Sequence, residues 1–600
     1  MPAASTRPHL DFGRLRVVLA SLLTLLVAGC ASLPNSSPWS SFDALVADFE
    51  AFQLEANPIA AGRLGDLEAA GRWPDVSAQA VAARRAAQLE FHARLQAIDP
   101  ERLDDSRQVS HALLAYLLGS AVELAEFEPE RLPFTNDSGF FSMPASLGLS
   151  TRPRNTAEAE AWIGRIESLP EFFAQHIEWL EYGLETGWVQ PDYIMPGVLA
   201  QIEQLAATPA AEHMLFAPLQ ALPAQMPEAE RRRLRSAGLA AIEDHALPAY
   251  AELAAFFREI YLAAPRASVG ISAVPGGADY YRALVRYHTT LDTTPEEIHQ
   301  IGLAEVARIR AEMEEIIAAT GFEGSFAEFL DYLRTDPKFY AQSEEELLMR
   351  AAWLAKRADD AMPRFFRHLP RLPYGVRPVP AAIAPNYTTG RYWSGNLEAG
   401  VAGGYMVNTY ALDQRPLYEL PALTVHEGVP GHHHQIAIAQ ELENVPEFRR
   451  QSYITAYGEG WGLYTEYLAI EMGLYDTPYD HFGRLTFEMW RACRLVVDTG
   501  LHYFGWSVEQ AEACLLENSA LAPHNVRTEV ARYVSWPGQA LAYKTGELLI
   551  RELRASAEET LGEDFDLRAF HDHILSDGAM PLSALEARML AWIEAESRAE

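Results

Sequence analysis

The chain has 600 residues, 49% of them hydrophobic, which is ample for a large core and for more than one lobe. Its formal net charge is −34, and without residues 1–30 the balance is 45 basic against 81 acidic residues. Such a surface speaks against nucleic-acid binding, which needs clustered positive charge, and two cysteines beyond Cys30 are too few for a disulfide framework.

Residues 1–30 read as a lipoprotein signal peptide. Arg14 and Arg16 precede the apolar run 17–28, which is shorter than the ~20 residues a spanning helix needs. Leu26-Val27-Ala28-Gly29-Cys30 is similar to a bacterial lipobox, so Cys30 is the expected lipidation site, anchoring the chain to a membrane without crossing it. Residues 31–42, with Ser, Pro and Asn, are the expected tether. An N-terminal helical region is expected over 43–270, without a chemical motif. Within it Asn155 or Thr156 caps a long helix reaching toward Gly183.

The region 271–600 is expected to continue the same fold and to carry the chemistry. Thr294-Pro295-Glu296-Glu297 is a capping box with Pro at the first helical position. Val306, Ile309, Met313, Ile316 and Ile317 follow at helical spacing. Five prolines make 370–385 extended or looped. Residues 403–410 have strand character. A strand just before a metal-binding helix can pair with a peptide backbone, which makes Tyr405 and Asn408 candidates for substrate contact.

A helix starting near Pro421 then leads into His426-Glu427-Gly428-Val429-Pro430-Gly431-His432-His433. Two neutral imidazoles can hold zinc, while the adjacent carboxylate handles the proton of an activated water. The usual H-E-x-x-H spacing puts both histidines on one helical face, but here Pro430 stands at i+4. The second ligand must be His432, His433 or His434, and the helix must be distorted to bring it round. Gly428, Pro430 and Gly431 permit that, and His432 is preferred over His433. In Gly458-Glu459-Gly460, followed by Glu466, the two acids share a helical face. Glu459 is the candidate third ligand and Glu466 a candidate partner for a ligand histidine.

Further on, Cys493 and Cys514 read as packed thiols. Arg494 and Asp498, at i and i+4, read as a helical pair. His502 is a candidate for stabilising the transition state. Arg532 and Lys544 are candidates for holding a peptide carboxylate. His571 and His573 read as structural.

HEGVPGHH, EGWGLYTEYL, RLVVDTGLH and RYVSWPGQALAYKTG together resemble the bacterial family called domain of unknown function 885, from about residue 45 to the C-terminus. That family is similar in turn to the helical glutamate-zincin peptidases, such as the carboxypeptidase Taq and thimet oligopeptidase families. Gly431-His432 matches the Gly-His pair that ends their metal motif. The resemblance implies a mainly α fold, large, multi-helical, two-lobed and metallopeptidase-like, with a small β-sheet beside the active-site helix. It implies Tyr543 as donor to the developing oxyanion. The expected protein is a lipid-anchored metallopeptidase with one zinc ion, held by His426, His432 and Glu459, and with Glu427 as general base. Short peptides are the expected substrates, cut in a carboxypeptidase- or dipeptidase-like manner, in the bacterial envelope facing the periplasm, on the outer membrane. The alternatives are a zinc hydrolase of a non-peptide amide or cell-wall peptide, and a binding lipoprotein with a vestigial metal site.

Overall fold

Apolar residues at helical spacing build this chain almost throughout. A computed structural model describes residues 38–264, 266–381, 383–397 and 400–598. Cys30, the signal peptide and residues 31–37 of the expected tether lie outside the described residues. The rest of that tether is helical. Phe42, Leu45, Val46 and Phe49 recur at i, i+3, i+4 and i+7 on the helix Pro38–Ala56 and are buried, so this segment belongs to the core.

The single helix expected from 155 to 183 is two. Asn155 caps Thr156–Glu167, accepting from the Glu158 N–H, and a second helix, Leu169–Thr186, starts after Ser168. Pro170 explains the break, because it has no N–H to donate and its ring crowds the preceding turn.

The helices that build the site are labelled in chain order. They are α1 (Pro295–Thr320), α2 (Leu420–Glu427), α3 (His432–Gln440), α4 (Thr455–Leu468), α5 (Pro478–His502), α6 (Pro523–Ser535) and α7 (Ala542–Leu561). Thr294 and Glu297 close the capping box of α1, whose Ile309, Met313 and Ile317 are buried. Helix α5 is buried without interruption from Phe482 to His502 and forms the spine of this half. Helices α4 and α7 meet backbone to backbone at Gly460 and Gly546, where an added Cβ on Gly546 would lie 1.9 Å from the Ala456 carbonyl oxygen. One apolar core includes Phe42 at one end of the chain and Ile593 at the other, so 43–270 and 271–600 share it.

The proline-rich stretch supplies β1 (Tyr374–Pro378) and a short 3₁₀ turn. With β2 (Gly390–Trp393) and β3 (Gly403–Val407) it makes a sheet of order β1-β3-β2. Strand β3 pairs parallel with β1 and antiparallel with β2. Both its edges are therefore used, and it offers none to a bound peptide, contrary to the expectation from its position before the motif helix. The cleft side of the sheet is β2, whose side chains alternate, Gly390 and Tyr392 inward and Arg391 and Trp393 outward.

Candidate metal centre

The ligand motif is a helix, a break and a second helix. Helix α2 ends at Glu427, and the Gly428 N–H still donates to Thr424 O at 2.9 Å. Gly428 (ψ −126°) and Gly431 (ψ −131°) leave helical geometry, and α3 restarts at His432. The Gly431 N–H donates back to Val425 O at 2.9 Å, folding the loop under the end of α2. This brings His432 beside His426 instead of well round and further along a continuous helix. A Cβ on Gly431 would lie 2.0 Å from His426 O and 2.4 Å from Val425 O. Gly431→Ala is expected to destabilise the protein by about 1–3 kcal/mol and to weaken its hold on metal, because both oxygens belong to the backbone. Thermal melting and metal content check this; an unchanged melt would mean the loop relaxes freely.

Three donors converge across the break. Glu459 Oε2 lies 3.4 Å from His426 Nε2 and 3.4 Å from His432 Nε2. All three ligand atoms lie within 4.8 Å of one another, and the two rings stand at 89°. Donors bound at ~2.0–2.1 Å to a tetrahedral zinc sit about 3.3–3.4 Å apart, so the donor set and its spacing fit that ion. His433 turns the other way, to Tyr392 Oη at 3.1 Å and the Tyr374 ring at 4.4 Å. His434 packs on Phe366, and burial pushes its imidazole well down.

Glu466 lies 2.8 Å from His426 Nδ1 and thereby directs Nε2 toward Glu459. Burial would depress the His426 imidazole, but its hydrogen bonds to Glu459 and Glu466 and the charges of Glu466 and Glu427 prevail and push it up to about 10. Burial would likewise raise Glu459, yet the charges and hydrogen bonds of His432 and His426 hold it well below the usual carboxylate range. The pocket thus favours positive charge between these groups. Glu466→Gln is expected to lower zinc affinity by about 10–100-fold with the fold retained. A chelator-competition titration measures this, and wild-type affinity would rule out an orienting role.

Glu427 is not among the three donors. Its Oε2 accepts from the Tyr392 N–H at 2.6 Å, so an edge amide of β2 holds the carboxylate at the wall of the cleft. The cleft encloses about 400 Å³ and is lined by both histidines, Glu427, Glu459, Tyr543 and Arg532 among others. Tyr543 Oη accepts from Arg532 Nη2 at 3.2 Å, and the Arg494 guanidinium lies 4.2 Å from its ring.

Four expected site residues are elsewhere. Tyr405 is fully buried on the central strand, with Thr424 Oγ1 donating to its hydroxyl at 3.3 Å. Asn408 is fully buried and donates to the carbonyls of Ala384, Tyr387 and Thr388, closing the loop before β2. Both follow from β3 being the middle strand. Lys544 is fully buried and pairs with Glu305, Glu488 and Glu547 at 2.7–2.9 Å, so it faces the helix packing and not the cleft. His502 is fully buried. Its Nδ1 accepts from the Ile271 N–H at 3.0 Å, leaving Nε2–H to donate to Tyr533 O at 2.8 Å. Burial pushes His502 down to about 3, so it stays neutral and braces α5 against α6.

The expected Arg494–Asp498 pair also separates. Arg494 pairs with Glu529 at 3.0 Å, whereas Asp498 accepts from Tyr281 Oη at 2.6 Å and the Gly538 N–H at 3.0 Å. A helix packed on all sides sends each polar group to a different neighbour. His571 bonds Tyr464 Oη and Phe365 O at 2.7 and 2.9 Å, a structural place.

Cleft residues that the sequence reading passed over are Tyr453, whose hydroxyl donates to Glu459 at 3.3 Å, Arg391 and Trp490. Arg494, read only as a helical partner of Asp498, also lines the cleft. Arg391 was discoverable, since strand alternation places it opposite in face to the buried Tyr392.

Comparison with known proteins adds the following. A protein from Colwellia psychrerythraea, named a candidate lipoprotein, has a crystal structure similar to this chain with a TM-score of 0.87 and 28% identity, covering 93% of this chain and 100% of its own. A candidate lipoprotein of unknown function from Shewanella oneidensis shares the fold, with a TM-score of 0.68 at 18% identity over 92% of this chain and 100% of its own. No curated protein matches. Among the described residues no helix is long and apolar enough to cross a membrane. The family described as "Bacterial protein of unknown function (DUF885)" matches residues 58–589, nearly the whole described chain, and to this family the protein belongs.

Proposed function

We propose that the chain is a zinc-dependent hydrolase of short peptides, anchored by lipid at Cys30 to the bacterial envelope and facing the periplasm. The observation that carries the reading is the spacing of His426 Nε2, His432 Nε2 and Glu459 Oε2, with Glu427 beside them in a common cleft. A zinc ion held there would supply Lewis acidity toward water and an amide carbonyl. Glu427 then acts as the base that accepts a proton from the attacking water and returns it to the leaving amine. The Tyr392 N–H fixes that carboxylate through Oε2. Tyr543 accepts from Arg532, so its own proton is free to point into the cleft and to meet the charge that develops on the carbonyl oxygen. The Arg494 guanidinium over the Tyr543 ring holds the ring in place. The anchor is supported by the lipobox at Cys30 and by the lipoprotein names of both similar structures.

Zinc content and hydrolysis of a mixed library of short peptides, read by mass spectrometry, test this. One zinc per chain with peptide products is expected. Zinc without products would move the substrate to another amide, and a folded protein that takes up no zinc would sink the ligand assignment.

A further inference from the structure

Four guanidinium groups, Arg391, Arg491, Arg494 and Arg532, and three carboxylates, Glu427, Glu459 and Glu529, line the cleft. Glu529 is buried and serves two guanidinium groups at once, Arg494 at 3.0 Å and Arg532 at 3.5 Å. Arg494 keeps one buried nitrogen, Nη1, without a hydrogen-bond partner. Arg391 reaches the same cleft from the outward face of β2. Its guanidinium lies 5.6 Å from the Tyr387 ring and makes no ion pair or hydrogen bond among the described residues, although Glu427 acts on its charge at longer range. Arg494 and Arg532 thus share Glu529 and Arg491 turns to Glu466 at 3.6 Å, which leaves Arg391 as the cleft guanidinium without a paired carboxylate among the described residues, in a chain where acids outnumber bases 82 to 48. An arginine at a cleft that no described carboxylate pairs is free to meet an outside anion. Arginine suits a carboxylate best, because its planar fork meets both oxygens.

We infer that Arg391 is the specificity-determining residue that receives a substrate carboxylate, the free C-terminus of a short peptide. The inference rests on the hydrolase reading and deepens it. With the terminal carboxylate at Arg391 and the scissile carbonyl at the His426–His432–Glu459 cluster, the enzyme removes one or a few residues from the carboxyl end. A cleft of about 400 Å³ suits a ligand of that size. Arg532, bonded to Glu529, Gln539 and Tyr543, contributes to the field but is already engaged. The carboxylate could also come from an acidic side chain, and the test separates the two sources.

The experiment compares one short peptide as the free acid, as its C-terminal amide, and as an amide with glutamate at the last position, on the wild type and on Arg391→Gln. The free acid should exceed both amides by about tenfold or more in kcat/KM, chiefly through KM, as one charge-assisted contact allows. That preference should collapse in Arg391→Gln. Equal cleavage of acid and amide by the wild type would overturn the inference and leave the hydrolase reading standing. A preference that survives Arg391→Gln would remove Arg391 from the role. Rescue by the glutamate amide would assign the anion to a side chain. If nothing is cleaved, the hydrolase reading itself fails, and calorimetric binding of the acid and the amide still decides: acid-selective binding lost in Arg391→Gln supports the clamp, and equal or absent binding overturns it.

Discussion

Glu427→Gln is expected to reduce peptide hydrolysis by about 10²–10⁴-fold while zinc content stays at the wild-type level. The carboxamide is nearly isosteric, and its oxygen can still accept from the Tyr392 N–H that holds Oε2 at 2.6 Å. What it loses is the ability to take a proton. The three converging donors are His426, His432 and Glu459, so the metal should remain. Paired zinc analysis and single-turnover hydrolysis check both halves. Loss of zinc together with activity would make Glu427 a ligand, and retained activity would assign the base elsewhere.

Lys544→Met carries the largest expected effect on stability, about 3–5 kcal/mol, the usual result of removing one partner from a buried ion pair. Lys544 lies within 2.9 Å of three carboxylates, Glu305 on α1, Glu488 on α5 and Glu547 on its own helix, and it is fully buried. Without the ammonium, Glu488 retains Arg484 at 2.6 Å, but Glu547 retains only the partly exposed Arg551. The network locks α7 against α1 and α5, one residue from Tyr543 in the cleft. Chemical denaturation measures the loss. An unaltered midpoint with a raised KM for free-acid peptides would return Lys544 to a substrate role.

The same cluster sets a pH window. Burial would lower Lys544, but the charges of Glu488, Glu547 and Glu305 raise it above its ordinary 10.5, so its contribution is complete below 10.5 and fades as pH rises. Burial would raise Glu488, but Lys544, Arg484 and Arg308 hold it well below its ordinary 4.5, so its contribution is complete above 4.5 and fades as pH falls. Stability from this network should therefore be flat between those limits.

Much of the candidate metal site was legible because its chemistry is local. A histidine beside a glutamate, glycines at the break and a Gly-Glu-Gly segment can be read in one dimension, and the apolar spacing of α1 with its capping box is equally local. The helix break at Pro170 was also in view, but a run of good helix formers on both sides concealed it. What failed were roles assigned to single polar residues from their place in a motif. Asn408 sits next to a strand with a partner on each side, and Lys544 faces carboxylates from α1 and α5 that lie 239 and 56 positions away.

By itself the sequence determined the helical class, the family, the acidic surface and the residue types able to hold a metal, since these depend on composition, periodicity and short spacing. The tertiary structure turned the preference for His432 over His433 into an observed position beside His426, and it alone decided that Lys544 and His502 brace helices and that Arg391 makes no ion pair at the cleft among the described residues. The reason is that burial and charge pairing are properties of neighbours distant in the chain, and the same lysine or arginine is a structural ion or a free one according to which carboxylates the fold brings within hydrogen-bond reach.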